Sequence, residues 1–458
     1  MASVAFRQYL DSFINYEVKP AVNPDLLFRP QRLKAVLAEL GRPQESFISL
    51  HVAGTKGKGS TCAFIAEILK QAGYRTGLYT SPHFHCLNER IRVLDRRAAG
   101  QADGIFSDAV SDGQLDGLLH RVRPVLEKYR ATDDYGRLTY FEALTVLAFC
   151  FFAQQKVRFG VLETGMGGRL DATNVVDPLA GALTSISLDH TDQLGGDLAA
   201  VAREKAAIIK AGKPAVIAPQ SGAVLEIIAQ RCQAVQARAV YVGRDIPFRE
   251  VRRDLEGQEI EVVTPRQTYA FQCRLLGGHQ AVNAATAVAL AEIVDRAGFF
   301  VSPSAISAGI AETFWPGRFE LMQTGPDIII DAAHNPDSVR VLLANMRDYF
   351  SGRKILLVLG ISRDKDVIGI CREFAGVVQR VFLTRARHPR AYDFSDPRVV
   401  SMFAGRAGPK VLDVRQGLLS ALQQAQKEDV ILVTGSIFAA AEARQVLVSG
   451  EENAGLKN

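Results

Sequence analysis

Short apolar runs rich in β-branched residues alternate with helical periods along most of this chain, and no other feature restricts its fold as strongly. In the first part of the chain, the predicted strands are Ile48–Val52, Thr76–Thr80, Val157–Leu162, Ala182–Ser187 and Ala215–Ala218. Helices are predicted between strands, for example from Ser60 to Ala72 and from Thr139 to Gln154. This alternation is typical of an α/β fold whose sheet is mainly parallel.

A second series of strands follows a Pro-Gly break within Phe314–Arg318. Its predicted strands are Ile328–Ile330, Ile355–Leu359, Arg380–Leu383 and Val430–Val433. The chain has 458 residues, which at about 150 residues per domain is enough for two or three domains. We predict an α/β domain over residues 1–313 and a second, Rossmann-like α/β domain over residues 314–458.

Two stretches depart from the alternation. Residues 239–275 contain three runs that we predict to be short antiparallel strands: Tyr241-Val242, Glu261–Val263 and Tyr269–Phe271. Residues 96–113 are rich in Ala, Gly, Asp and Ser and show little periodicity. We expect a surface insertion there.

Composition excludes several classes of protein. The 54 Lys and Arg residues exceed the 49 Asp and Glu residues by only 5. The sequence also lacks the basic stripe with interleaved aromatic residues that is typical of nucleic-acid-binding proteins, so we expect no nucleic-acid partner. The six cysteines include no C-x-x-C pair, which argues against a zinc site or a disulfide framework. The apolar stretch Ala143–Ala153 is shorter than the roughly 20 residues that a bilayer requires. We therefore expect Ala143–Ala153 to form a buried helix. We also expect a cytoplasmic protein with no membrane partner.

A glycine-rich segment, His51–Thr61, follows a predicted strand and opens a predicted helix. Backbone N–H groups at a helix N-terminus bind anions, and glycine allows phosphates to approach closely. Lys58 would then reach the terminal phosphates. The segment departs from the strict Walker A pattern, because Gly59 separates Lys58 from Ser60. The pattern predicts a nucleotide-phosphate site, although a glycine-rich turn without a ligand has the same spacing.

Polar residues follow three further strands of the first series. They are Ser81, Glu163 and His190. The carboxyl ends of parallel strands converge on a ligand crevice, and hydroxyl and carboxylate oxygens suit Mg²⁺, with one imidazole tolerated. Each residue alone also fits an ordinary strand end or a structural histidine. Their placement after separate strands favours a metal site.

Other polar residues are ambiguous on local grounds alone. Lys205 lies in a predicted helix that begins near Leu198, where a lysine usually extends along a solvated face. Asp331, Asp364 and Ser436 follow strands of the second series, where helix capping is an equally good explanation.

The ordered motifs of the whole chain narrow these alternatives. They are His51–Thr61, Ser81–His83, Asn88–Ile91, Leu138–Glu142, Glu163–Asn174, Leu188–Thr191, Glu204–Ala206, His279–Asn283, Pro316–Arg318, Asp331–Pro336 and Asp364–Asp366. Together they resemble the folylpolyglutamate synthase and dihydrofolate synthase family of the Mur ligase superfamily. The resemblance implies an N-terminal P-loop ATPase domain with a pterin site and a C-terminal glutamate-ligase domain.

The resemblance also implies an ATP-dependent amide ligase that adds L-glutamate to dihydropteroate and to the γ-carboxylates of folates through an acyl phosphate. It implies two Mg²⁺ ions with ATP as co-substrate, a monovalent cation such as K⁺ as a further candidate, and a monomer. The implied ATP-binding residues are Gly57, Lys58, Gly59, Ser60, Asn283, Arg318 and Asp331. The implied metal ligands are Ser81, Glu163, His190 and Lys205, the last as a carbamate.

The resemblance assigns catalytic roles to Lys58, Lys205, Asp331 and His334, with His334 and Ser436 in motifs associated with glutamate. The implied substrate-binding residues are Asp25, Leu26, Leu138, Thr139, Tyr140, Phe141, Leu170, Asp171, Ala172 and Ser436. Lys56 and Thr164 depart from the family's usual residues, and Pro24–Arg29 follows its N-terminal substrate motif only loosely.

Three alternatives to the bifunctional enzyme remain open. A folylpolyglutamate synthase without the dihydrofolate synthase activity has the same motifs. A cell-wall Mur ligase is disfavoured, since the phosphate loop begins by residue 54 and leaves no room for a preceding UDP-binding domain. An inactive nucleotide-binding regulator is disfavoured because Lys58, Glu163, His190 and Lys205 are all present.

Overall fold

A computed structural model describes residues 4–16, 29–96, 105–132, 136–187, 197–408 and 410–450. The chain divides into two compact units. The first comprises Met1–Arg252, Gln258–Arg274 and His279–Phe314, and the second comprises Arg253–Gly257, Leu275–Gly278 and Trp315–Asn458. Among the described helices, none is both long enough and apolar enough to cross a membrane.

A seven-stranded sheet forms the centre of the first unit. In spatial order its strands are β3 (Ile91–Leu94), β2 (Thr76–Tyr79), β6 (Phe159–Glu163), β1 (Ile48–Ala53), β7 (Ala180–Leu183), β8 (Ala215–Ile217) and β9 (Ala239–Tyr241). All neighbouring strands are parallel except β2 and β3, which are antiparallel. The prediction of a mainly parallel α/β sheet is confirmed.

Two local predictions were wrong, and a third needs a correction in part. Tyr241 lies in β9, which pairs with β8 in parallel and extends the main sheet. The sequence predicts that the helix carrying Lys205 continues to Lys210, but this helix ends at Ala206. The predicted insertion is partly packed, because Phe106 and Val110 are buried and a helix begins at Asp112. For Tyr241, pairing with a distant strand outweighs the local pattern.

Helices cover both faces of the main sheet. They are α1 (Val4–Asp11), α2 (Pro30–Glu39), α3 (Lys58–Gln71), α4 (Asp112–Lys128), α5 (Tyr140–Gln154), α6 (Leu198–Ala206), α7 (Gly222–Ala234), α8 (Gly278–Arg296) and α9 (Pro303–Glu312). The strands β11 (Gly257–Val263) and β12 (Thr268–Cys273) pair antiparallel beside β10 (Phe248–Asp254). The antiparallel prediction therefore holds for Glu261–Val263 and Tyr269–Phe271. Two short strands, β4 (Ala131–Thr132) and β5 (Gly136–Arg137), precede α5.

The apolar stretch Ala143–Ala153 is the buried helix that the sequence predicts. It lies in α5, whose side chains are apolar around most of the helix, and a helix of that kind is stable only inside a protein. Phe149 and Phe152 are fully buried in the main core of the first unit, together with α1, α2 and α4. A second core lies between the sheet and α6 and α7.

The second unit is built on a six-stranded sheet. In spatial order its strands are β13 (Glu320–Gln323), β14 (Asp327–Ile330), β18 (Val430–Thr434), β15 (Ile355–Leu359), β16 (Arg380–Arg385) and β17 (Leu412–Asp413). Its helices are α10 (Pro336–Tyr349), α11 (Val367–Ala375), α12 (Pro397–Ser401), α13 (Val414–Gln424) and α14 (Ile437–Ser449). Only β13 runs antiparallel to its neighbour. The second alternation is therefore confirmed.

Candidate active site

The glycine-rich loop connects β1 to α3. Gly57 precedes the first residue of α3 with a φ of 85°, a left-handed conformation that glycine adopts without strain. A Cβ atom at Gly57 would collide with Oδ1 of Asn283, which is buried and donates from Nδ2 to Gln280 (2.9 Å). The structure therefore brings Asn283 against the loop of Gly57, Lys58, Gly59 and Ser60.

The start of α3 lies beside the carboxyl end of β6. Lys58 Nζ is 3.8 Å from Glu163 Oε1, and the backbone N–H of Ser81 donates to Glu163 Oε2 (3.1 Å). Since β1, β2 and β6 are parallel neighbours, their carboxyl ends share one edge of the sheet. The predicted convergence of Ser81 and Glu163 on the phosphate loop is present in the structure.

Lys205 is buried rather than extended along a solvated face. It lies near the end of α6, is 5% exposed, and donates from Nζ to the carbonyl oxygen of Gly54 (2.9 Å). Gly168 packs against the same turn of α6: a Cβ atom there would lie 2.5 Å from the carbonyl oxygen of Glu204. The Gly168 segment and the phosphate loop therefore both determine where Lys205 lies.

The oxygen atoms of Glu163 and Ser81 have the chemistry that Mg²⁺ prefers. His190, the third predicted ligand, lies outside the described residues. Within the part of the chain that the structure describes, no group of three or more His, Cys, Asp and Glu side chains could hold a metal ion. Among the described residues, Glu163 and Ser81 are the predicted ligands that lie together at this edge of the sheet.

The predicted pterin residues lie around the start of α5. Leu138, Thr139 and Tyr140 are buried, while the ring of Phe141 stacks on Tyr79 with centroids 5.9 Å apart. A Cβ atom at Gly165 would lie 2.5 Å from the Phe141 ring, so the ring is held from a second side. Asp25 and Leu26 lie outside the described residues.

The carboxylate of Asp171, a predicted pterin residue, is held by hydrogen bonds within its own loop. Its carboxylate accepts from the backbone N–H and the hydroxyl of Thr173 (2.9 and 2.5 Å) and from the backbone N–H of Met166 (3.0 Å). Burial raises the pKa of Asp171, and these hydrogen bonds oppose the rise. The carboxylate therefore shapes the loop on which Leu170 and Ala172 lie.

His51 continues this hydrogen-bond chain inside the sheet. Its Nε2 lies 2.7 Å from Thr173 Oγ1. Because the hydroxyl proton of Thr173 is directed at Asp171, Nε2 is the donor. Burial, with a smaller contribution from the charge of Lys210, lowers the pKa of His51 to about 3. The sequence analysis assigned His51 no separate role. Its role depends on the hydrogen bond to Thr173, which is distant in sequence.

In the second unit, Asp331 joins two turns. Its Oδ2 accepts from the backbone N–H of Phe319 and its Oδ1 from that of Ala333, both at 2.8 Å. Burial raises the pKa of Asp331, while the charge of Arg318 lowers it. The structure thus brings Asp331 and Arg318 together at the carboxyl end of β14. His334 follows on the same segment and contacts the carbonyl oxygen of Ala332 through Nδ1 (2.9 Å).

Helix capping accounts for some of the remaining polar residues. Ser436 accepts from the backbone N–H of Ala439 (3.1 Å) as the N-cap of α14. Asp366, not Asp364, is the N-cap of α11. Asp364 instead lies 3.5 Å from a guanidinium nitrogen of Arg390.

The sequence analysis missed a polar cluster beyond β16. The ring of His388 stacks on Phe438 with centroids 3.6 Å apart, and the guanidinium of Arg390 lies 5.2 Å from the same ring. One sequence signal could have indicated this cluster. His388 and Arg390 follow the predicted strand β16, just as Gly360 follows β15 and Gly435 follows β18, so all of them lie beyond the carboxyl ends of parallel strands.

Comparisons with known proteins agree with this arrangement. Residues 117–291 match the Mur ligase middle domain, and residues 317–437 match the Mur ligase glutamate ligase domain. A dihydrofolate synthase/folylpolyglutamate synthase from Bacillus subtilis is 33% identical over 457 residues, which cover 96% of this chain and 100% of that protein. The Escherichia coli protein of the same description is 33% identical over 91% of this chain and 90% of its own length.

Solved structures are similar over nearly the whole chain. The Mycobacterium tuberculosis folylpolyglutamate synthase complexed with ADP and AMPPCP has a TM-score of 0.83 and 29% identity, covering 97% of this chain and 98% of that one. Escherichia coli FolC in complex with DHPP and ADP has a TM-score of 0.82 and 30% identity with the same coverage. The similarity thus includes both units.

Proposed function

Because the chain belongs to the dihydrofolate synthase/folylpolyglutamate synthase family of Mur ligases, we propose that it joins L-glutamate to dihydropteroate and to the γ-carboxylates of folates at the expense of ATP. The enzyme is an ATP-dependent, amide-forming ligase. The observation that carries the proposal is the pairing of Lys58 with Glu163 at the carboxyl edge of the main sheet. It places a cation for phosphate oxygens beside a carboxylate for a metal ion.

The reaction needs an activated carboxyl group, because an oxide or hydroxide ion is a poor leaving group. Transfer of the γ-phosphoryl group of ATP to the substrate carboxylate gives ADP and an acyl phosphate. The amine of glutamate then attacks the acyl carbon, the C–O bond to phosphate breaks, and the amine loses a proton. Catalysis of the first step is mostly the positioning of phosphates and the stabilisation of their charge.

We assign the phosphate-binding role to Gly57, Lys58, Gly59 and Ser60. Their backbone N–H groups lie at the N-terminus of α3, where anions are stabilised. The ammonium of Lys58 would neutralise charge on the transferring oxygens. Asn283, Arg318 and Asp331 are the further proposed ATP residues.

Mg²⁺ would neutralise charge on the ATP phosphates. Glu163 and Ser81 fit such an ion by their oxygen chemistry, with His190 as a further proposed ligand. We also propose that Lys205 carries a carbamate. Its Nζ is buried beside the phosphate loop, 2.9 Å from the carbonyl oxygen of Gly54; the carbamate would form when the neutral amine adds to CO₂ and loses a proton. A monovalent cation such as K⁺ is a further proposed cofactor, which replacing K⁺ by Na⁺ in the assay would test.

His334 is proposed to act on the glutamate side of the reaction. Its Nδ1 contacts the carbonyl oxygen of Ala332, so in the neutral ring Nδ1 carries the proton and Nε2 is the basic nitrogen. Nε2 could receive the proton that the attacking amine loses. Ser436, at the N-terminus of α14, is proposed to bind glutamate. Asp25, Leu26, Leu138–Phe141 and Leu170–Ala172 are proposed to bind the pterin.

We place the enzyme in the cytoplasm and expect a monomer. All six cysteines are free thiols, which suits a reducing compartment. Light scattering at assay concentrations would test the monomer.

The test of the function is glutamate-dependent release of ADP from Mg-ATP. The assay is run with dihydropteroate and, separately, with a reduced monoglutamyl folate. We expect activity with both. Activity with the folate alone would make the protein a folylpolyglutamate synthase only, and activity with neither would refute the proposed substrates.

A further inference from the structure

A buried ion pair links two helices of the first unit. Arg32 on α2 is 1% exposed and Glu142 on α5 is 3% exposed. The guanidinium donates from Nε to Glu142 Oε1 (3.1 Å) and from Nη2 to Glu142 Oε2 (2.6 Å). An arginine holds a carboxylate in one orientation when two of its nitrogens donate. The pair therefore fixes the direction of the Glu142 side chain as well as its distance from α2.

The same carboxylate determines where α5 begins. Glu142 Oε2 accepts from the backbone N–H of Thr139 (2.9 Å) and from its hydroxyl (2.8 Å). The hydroxyl of Thr139 in turn accepts from the backbone N–H of Glu142 (3.2 Å). This is a capping box, which fixes the first turn of a helix. Because Arg32 holds the Glu142 carboxylate, it also holds the turn that contains Tyr140 and Phe141.

The Phe141 ring depends on that turn for its position. It lies between the ring of Tyr79, stacked at 26°, and the backbone of Gly165, which leaves no room for a Cβ atom. A ring confined in this way cannot compensate by rotation when its backbone shifts. Small movements of the first turn of α5 would therefore displace the ring.

Arg32 is also close in sequence to the other predicted pterin segment. It lies in the first turn of α2, which begins at Pro30, shortly after Asp25 and Leu26. The ion pair thus joins the first turn of α2 to the first turn of α5, across a separation of 110 positions in the sequence.

We propose that Arg32 and Glu142 are positioning residues for the pterin half of the substrate, holding the start of α5, and with it the Phe141 ring, where a flat heteroaromatic ring binds. The proposal rests on the proposed function, because it needs a pterin substrate. It requires that loss of the pair raises the KM for the pterin and leaves the KM for ATP unchanged, since the phosphate loop is built from other elements.

A second ion pair in the same unit provides a matched control. Arg92 donates from Nε and Nη2 to the two carboxylate oxygens of Asp108 (2.7 and 2.9 Å), and Arg92 is 7% exposed. Neither residue belongs to a predicted pterin segment. Arg92→Met should therefore lower Tm without raising the KM for the pterin substrate.

The variants for the test are Arg32→Met, Glu142→Gln combined with Arg32→Met, and Arg92→Met. The single variant Arg32→Met leaves a buried carboxylate without its cation. In the double variant the side chain at 142 is neutral, and its amide oxygen can still accept from Thr139, so the capping box remains while the tie to α2 is lost. Tm, the KM for dihydropteroate and the KM for ATP are measured for each variant.

In the double variant we expect Tm to recover towards the wild-type value while the KM for dihydropteroate stays raised, by about fivefold to tenfold if one ring contact is lost. The KM for ATP should remain at the wild-type value. A KM for dihydropteroate that returned to normal together with Tm would overturn the proposal, and so would an equal rise in Arg92→Met. If the wild-type protein used neither pterin substrate, the proposed function would fail and the proposal with it.

Discussion

Nζ of Lys58 lies 3.8 Å from Oε1 of Glu163, so the first residue of α3 and the last residue of β6 place opposite charges at one point of the sheet edge. The two residues are far apart in sequence and meet because β1 and β6 are parallel neighbours. Both side chains are mostly buried, at 17% and 6% exposure. Each charge is therefore little screened by solvent, and each has a separate expected role.

Replacing Lys58 by methionine should strongly slow ligation without unfolding the protein. Loss of a charge that stabilises the transferring phosphoryl group should lower kcat/KM by at least about 100-fold, because Met keeps the length of the side chain but not its charge. ADP release and Tm are the measurements. Lys70→Met is the control, since Lys70 lies on the same helix in an ion pair with Glu67 (2.8 Å). Near-normal turnover by Lys58→Met would refute the phosphate assignment.

Glu163→Gln should weaken the binding of Mg²⁺. An amide oxygen carries no net charge, so the Mg²⁺ concentration that gives half-maximal ADP release should rise by about tenfold or more. The titration is run at saturating ATP. Glu67→Gln, a change of another buried carboxylate, should leave the Mg²⁺ dependence unchanged. An unaltered titration curve for Glu163→Gln would exclude this carboxylate as a metal ligand.

Gly168→Ala should lower kcat, measured by ADP release, because it displaces Lys205. The new Cβ atom would lie 2.5 Å from the carbonyl oxygen of Glu204 and 3.0 Å from Cα of Lys205, and backbone atoms cannot move aside as a side chain can. A displacement of about 1 Å near the reacting groups can cost up to about 100-fold in rate.

The control for that change is Gly117→Ala. Gly117 lies inside α4, where an added Cβ atom meets nothing within 4 Å, so alanine should stabilise the helix by about 1 kcal/mol. Its kcat should equal that of the wild type. If Gly168→Ala also kept the wild-type kcat, the position of Lys205 would not limit the reaction.

His51 should make the protein less stable in acid. Burial lowers its pKa to about 3 in the folded state, whereas the unfolded chain binds a proton near pH 6.5. The contribution is complete above pH 6.5 and is lost as the pH falls towards 3, by about 1.4 kcal/mol per pH unit. His51→Gln, which keeps a donor for Thr173, should lose this part of the pH dependence.

The measurement is the free energy of unfolding in urea at pH 7 and at pH 5. His120→Gln, which removes an exposed imidazole, is the control variant in the same pair of measurements. An unchanged difference in His51→Gln would mean that the imidazole takes up its proton in the folded state.

Much of the fold followed from local patterns. The strand predicted at Ile355–Leu359 has those bounds in the structure, and the helix predicted from Thr139 begins one residue later, with Thr139 as its N-cap. Such elements depend on the period of their own apolar residues and on their own caps. The pairing of Tyr241 with β8 was not predictable in this way, because an edge strand of three residues has no signal that selects its neighbour.

The residues of the candidate site also fall into those that local sequence predicts and those that depend on the fold. The phosphate loop is contiguous, so its glycines, Lys58 and Ser60 are recognisable from neighbouring residues alone. The burial of Lys205 is not, because it depends on Gly54 and Gly168, which are distant in sequence. Local spacing favours a solvated lysine there.

The sequence by itself determined the two α/β alternations, the anion-binding loop and the order of motifs that identifies the family. Each alternation, loop or single motif consists of residues that are close together in the sequence, so it is recognisable without the fold. Only the tertiary structure decided that Lys58 meets Glu163, that Asp171 accepts hydrogen bonds from Thr173 and Met166, and that Arg32 holds Glu142. These relationships are contacts across the sheet, within a folded loop or between helices. They exist only after the chain packs together and excludes water from the charges that it pairs.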